Sequence, residues 1–124
     1  MIFDNDFDVH SITKQLGIAP TECKSRNEKR ISPLTNKPIE GFWTLKTEEK
    51  EERDLCVVLN ELVENISAKL PDIKKICDEN GGKVVFDIVP FFDGNNKPAL
   101  YFERDFLDIV NYLNATIQID LYVK

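Results

Sequence analysis

The chain has 124 residues, 42% of them apolar, and carries 16 Lys and Arg against 22 Asp and Glu, a net charge of −6. That length and apolar share suit one folded domain and exclude a disordered tail. The acidic balance argues against wrapping of nucleic-acid phosphates and favours basic or neutral partners.

Residues 1–9 alternate, with Phe3, Phe7 and Val9 on one parity and Asp4, Asp6 and Asp8 on the other, which predicts a half-buried strand. Ser11 is placed to cap a short helix whose Ile12 and Leu16 share a face and which Gly17 stops. From Lys24 to Glu40 the chain reads as a long surface loop with five bases and two acids, leaving 11 bases and 20 acids elsewhere: a basic loop on an acidic body. Gly41–Lys46 predicts a strand with Trp43 and Leu45 inward. A main helix is expected over 47–70, capped by Thr47, with Glu48 and Glu49 at its positive end and Glu49 paired with Arg53. Its apolar face is Leu55, Leu59, Leu62, Val63, Ile66 and Leu70.

Pro71 interrupts this pattern, and a fresh helix carrying Ile73, Ile76 and Cys77 ends at Asn80-Gly81-Gly82. Lys83–Phe92 and Pro98–Glu103 flank the turn residues Asp93–Asn96 and together predict a hairpin. Asp105 is placed to cap a helix over 105–113 with Phe106, Ile109, Val110 and Leu113 on one side, closed by Asn114. The last strand puts Ile117, Ile119, Leu121 and Val123 on one face and Thr116, Gln118, Asp120 and Tyr122 on the other. The order predicts a single α+β domain over 1–124, with about five strands in a mainly antiparallel sheet of ferredoxin-like character. The helices at 47–70 and 105–113 would cover one face and leave the other partly open. Ile12–Gly17 and Ile109–Asn114 share a pattern of apolar residue, three spacers, Leu and helix stop, through either internal duplication or chance similarity.

The usual chemical signatures are missing from this sequence. His10 is the single histidine, and no Ser, Cys or Asp partner stands at motif spacing from it. Cys56 and Cys77 sit in apolar helix faces, whereas Cys23 lies beside Lys24 and Arg26, cations that favour a thiolate. Asp4-Asn5-Asp6-Phe7-Asp8 opens like a calcium loop, but Val9 and Gln15 stand where that loop needs Gly and Glu. GxGxxG, Walker, GxSxG and HExxH patterns are absent, so no catalytic residue, cofactor or metal is expected. The loop at 24–40 has no aromatic residue for base stacking, which makes nucleic acid an unexpected partner. The N-terminus lacks an export pattern, no apolar run approaches the roughly 18 residues that cross a bilayer, and three cysteines without a CxxC pair suit reduced thiols. A cytoplasmic location without membrane contact is expected.

Phe7-Asp8, Ser11-Ile12-Thr13, Leu16-Gly17-Ile18, Pro20-Thr21, Trp43-Thr44-Leu45 and Ile119-Asp120-Leu121-Tyr122 occur in that order. In these residues the chain resembles, over almost its whole length, the uncharacterised bacterial family catalogued as domain of unknown function 4279. It departs from that pattern in lacking a glycine soon after Pro20-Thr21. The family brings no established activity. The resemblance implies a small cytoplasmic bacterial protein, and by analogy with other small acidic proteins an immunity protein that binds and neutralises a cognate toxin domain, most readily a basic one. The expected function is therefore non-enzymatic protein binding, through Asp4, Asp6 and Asp8 on one strand and Asp120 and Tyr122 on the polar parity of another. The alternative is a small enzyme or small-ligand binder using the open sheet face around Asp120 and Tyr122.

Overall fold

The computed structural model describes residues 1–28, 31–48, 54–92 and 100–123. In chain order the elements are β1 (Ile2–Phe3), α1 (His10–Leu16), β2 (Glu22–Lys24), β3 (Gly41–Thr44), α2 (Leu55–Ile66), α3 (Leu70–Asn80), β4 (Gly82–Lys83), β5 (Val85–Ile88), β6 (Phe91–Phe92), α4 (Arg104–Tyr112), β7 (Thr116–Ile119) and β8 (Tyr122–Val123). Short 3-10 turns add Arg26–Glu28 and Ser67–Lys69. The chain divides into two compact units, Met1–Lys46 with Pro71–Val84, and Thr47–Leu70 with Val85–Lys124.

The first unit is an antiparallel sheet in the order β2-β3-β1-β4. Its register sets Ile2 opposite Phe42 and Lys83, Phe3 opposite Gly41 and Gly82, and Cys23 opposite Trp43. Because side chains alternate between faces, Phe3, Cys23 and Trp43 share one face and Ile2, Lys24, Phe42 and Thr44 the other. The first face is packed by α1 and α3: Phe3, Ile12 and Leu16 are sealed, and Trp43, Ile73, Ile76 and Cys77 are buried beside them. The Trp43 indole N–H donates to Thr13 Oγ1 at 3.2 Å, which fastens α1 to β3. Gly82 allows the closest approach, since a Cβ there would stand 2.5 Å from the Phe3 ring.

The strand expected over 1–9 is a ladder of only two residues, but its alternation survives as burial. Val9 is sealed, Phe7 is half-buried with its ring 4.9 Å from that of Phe3, and Asp4, Asp6 and Asp8 are exposed. Side chains replace the missing ladder: Asn5 accepts from the Phe7 amide and donates to the Asn80 carbonyl, and the buried Ser25 hydroxyl accepts from the Val9 amide. The α1 cap also differs from the expectation, because Asp8 takes the His10 amide at 3.1 Å and Ser11 instead donates to the Asp8 carbonyl. Gly17 closes the helix at φ 68°, as its lack of a Cβ predicts. Within the expected loop 24–40, β2 claims Lys24 and a bridge joins Ile31 to Pro38. Lys29 and Arg30 of that loop lie outside the described residues.

In the second unit α2 starts at residue 55 rather than 47. Asp54 takes the extended capping conformation and its carboxylate accepts the Cys56 amide, which makes it the cap in place of Thr47. The expected Glu49–Arg53 pair lies outside the described residues. Leu55, Leu59 and Ile66 are buried and Leu62, Val63 and Leu70 half-buried. Pro71 stands at the second position of α3, where its missing N–H costs no helical bond.

The expected hairpin is replaced by parallel pairing. β5 pairs with β7 and β6 with β8, both parallel, while Leu100–Glu103 is not a strand and Asp93–Lys97 lies outside the described residues. Parallel strands need a crossover, and α4 supplies it, stacking Phe106 edge-on against Phe86 at 5.1 Å and beside Phe102 at 5.5 Å. The helix begins after Glu103, so Asp105 lies in its first turn rather than at its cap, and Asn114 at φ 51° follows its end. Pro90 has no N–H with which to continue the ladder, and the Ile88 carbonyl receives the Asp120 amide, so the expected last strand splits into β7 and β8. The α+β class is as the pattern predicts. One five-stranded sheet is, in fact, a four-stranded antiparallel sheet and two parallel pairs. Among the described residues no helix is long and apolar enough to cross a membrane.

Candidate functional site

The residues that follow β1 and those that follow β2 are drawn together by hydrogen bonds between side chains of the second stretch and the backbone of the first. Besides the Ser25 bond to Val9, Arg26 Nη1 reaches the Asp4 carbonyl at 3.5 Å. This brings the start of α1 against β2 and the 3-10 turn, and three chemically active side chains meet there. His10 Nε2 lies 2.6 Å from Glu28 Oε1, and His10 Nδ1 lies 3.5 Å from Cys23 Sγ. Glu28 is held in turn by the Ser25 amide, which donates to the same oxygen at 3.0 Å. The hydrogen bond from His10, then that from Ser25, holds the Glu28 carboxyl below its ordinary pKa. A carboxylate there favours the tautomer whose proton sits on Nε2, and in that neutral form the Nδ1 lone pair faces the thiol.

Burial, then the carboxylates of Glu28 and Asp8, pushes the Cys23 thiol up. The cations expected to lower it do not prevail: alternation along β2 puts Lys24 on the opposite face, and Arg26 turns to Asp4. His10 has no partner at motif spacing, yet the fold brings two to it. Its partners stand 13 and 18 residues away, distances that no short motif encodes.

Asp4, Asp6 and Asp8 are exposed on the segment between β1 and α1. Asp8 is already engaged with the His10 amide. Asp120 and Tyr122 belong to the second unit. Asp120 is half-buried after β7 and accepts from Gln118 Nε2 at 3.4 Å, and Tyr122 opens β8 opposite Phe91.

On the opposite face of the antiparallel sheet an open groove of about 910 Å³ runs between Ile2, Phe42 and Thr44 and the loop carrying Lys37 and Pro38, with Asp4 and Arg26 at its border. Arg26 Nε is buried with no partner among the described residues. In the second unit a cavity of about 240 Å³ separates Cys56, Leu59 and Val63 of α2 from Phe106 of α4. Near it the Tyr101 hydroxyl donates to Asp54 Oδ2 at 3.2 Å and Cys56 Sγ meets the Tyr101 carbonyl at 3.4 Å. Contact with Cys56 and the bond to Asp54 push the Tyr101 phenol up to about 12. Among the described residues, no three His, Cys, Asp or Glu side chains are grouped to hold a metal.

Residues 1–124 match the family described as Domain of unknown function (DUF4279). The chain belongs to that family. No curated protein and no solved structure matches it. Three of the residues in which the sequence resembles the DUF4279 family act here as scaffold: Thr13 and Trp43 fasten α1 to the sheet, and Gly17 ends α1.

Proposed function

We propose that this DUF4279 chain is a non-enzymatic protein-binding domain, most concretely a cytoplasmic bacterial immunity protein that blocks a basic toxin domain. The observation that carries the reading is the segment between β1 and α1. Asp4, Asp6 and Asp8 are all exposed there, on a backbone pinned by Asn5 and Ser25. A pre-ordered row of like charges loses little entropy on binding and steers an oppositely charged partner. Asp120 and Tyr122 form a second, smaller contact in this reading, with Tyr122 as the amphipathic anchor.

The test is stopped-flow association with a basic toxin domain encoded beside this protein. Asp4→Lys with Asp6→Lys should slow association at low salt, and the difference should fade as salt is raised. Asp8 is left unchanged because its carboxylate holds the start of α1. An association rate indifferent to the double reversal removes this segment from the interface. The groove supports a second reading, a domain that binds a small anionic ligand. Its lining sets the cations Arg26 and Lys37 beside the apolar Ile2, Ile39 and Phe42, which suits a carboxylate on an apolar body.

A further inference from the structure

We infer that Cys23, His10 and Glu28 form a thiol–imidazole–carboxylate relay that lets Cys23 accept an acyl group from an activated ester or thioester. The three side chains stand in the order that activates a weak nucleophile: a thiol against one imidazole nitrogen at 3.5 Å, and a carboxylate against the other at 2.6 Å. The carboxylate is itself positioned, since the Ser25 amide donates to the oxygen that faces His10. This site uses different residues and a different chemistry from the proposed partner surface.

Access separates Cys23 from the other thiols. Cys23 is half-exposed, and the side chains beside it remain open, 54% for His10 and 37% for Glu28, whereas Cys56 and Cys77 are buried at 6% each. The raised thiol pKa gives the imidazole a task, because a neutral S–H must lose its proton as it attacks. In the first half of the reaction Sγ forms a bond to the carbonyl carbon while its proton passes to His10 Nδ1. Glu28 stabilises the resulting imidazolium through Nε2. The tetrahedral adduct then collapses, the bond to the alcohol or thiol oxygen or sulfur breaks, and that leaving group takes the proton from Nδ1. The products are S-acyl-Cys23 and a free alcohol or thiol. No oxidant or reductant enters the balance.

The full chain incubated with p-nitrophenyl acetate should release p-nitrophenolate in a burst of about one equivalent and gain one acetyl group, which peptide mapping places on Cys23. Cys23→Ser should lose the burst and the label. His10→Ala should slow the acetylation by about a hundredfold or more, the range a positioned general base supplies, and Glu28→Gln should slow it severalfold. Acetylation of Cys23 as fast in His10→Ala as in the unaltered chain would falsify the relay and leave an ordinary exposed thiol. Should His10→Ala not fold, the unaltered chain answers alone. Cys23 must then react faster in the folded protein than in the same protein unfolded in urea at the same pH, and an equal or slower rate overturns the inference.

Discussion

The two units bury their cores to different depths. The first seals Phe3, Val9, Ile12 and Leu16 to 0–1% exposure. Among the described residues of the second, no large apolar side chain falls below the 5% of Phe106, and the unit holds Val57, Val89, Leu100, Tyr101, Leu107, Tyr112, Ile119 and Leu121, eight of the ten exposed large apolar residues described. The cause lies in strand pairing. Four antiparallel strands present one continuous face to α1 and α3, and Gly82 lets Phe3 settle directly onto backbone. Two-stranded parallel pairs offer too narrow a face to hide every neighbour. Burial, and with it the cost of mutation, should concentrate in the unit that also carries the Cys23 cluster.

Denaturant melts can break that comparison. Phe3→Ala should be the most damaging change, about 3–5 kcal/mol, because a sealed aromatic leaves a cavity that a tight sheet cannot close. If Phe106→Ala costs more, the depth ranking is wrong. Ile66→Ala should cost about 2–4 kcal/mol and Leu62→Ala clearly less, since Ile66 is buried and Leu62 half-buried; equal losses would mean that α2 is rotated about its axis. Gly82→Ala should cost about 1–3 kcal/mol by forcing the Phe3 ring aside, and a neutral result would show slack in the first core. Asp54→Ala should cost about 1 kcal/mol through the lost cap of α2, and a thermal midpoint unchanged by it would place the helix start elsewhere.

The smallest effect is a pH dependence. A carboxyl held below its ordinary pKa contributes its full stabilisation above that ordinary value and loses it as pH falls through the lowered folded value. For Glu28 the gap in stability between the unaltered chain and Glu28→Gln should therefore be constant near neutrality and narrow in acid. A gap that widens on acidification would contradict the hydrogen bonds assigned to Glu28.

Elements set by their own periodicity were legible from the sequence. α3 carries Ile73, Ile76 and Cys77 inward as its spacing predicts, and Gly17 stops α1 where it should. Elements set by distant partners were not legible. β2 is three residues, too short for alternation to register, and exists because β3 pairs with it. Tyr101 and Phe102 read as strand because aromatics favour strands, yet one is drawn to Asp54 and the other to Phe106. The acidic segment was visible as a charge pattern. The Cys23–His10–Glu28 cluster was not, because its members are joined only when β2 docks beside α1.

The interleaving of the two units has a consequence for synthesis on the ribosome. β1 pairs with β3 at Phe42 and with β4 at Lys83, and the whole of α2 lies between these partners. At translation rates of about 5–20 residues per second, roughly 2–8 s separate the emergence of β3 from that of β4. During that interval one edge of β1 is open to any passing strand. Its length of two residues gives such a strand little to hold, so brevity protects the nascent sheet until its last neighbour arrives.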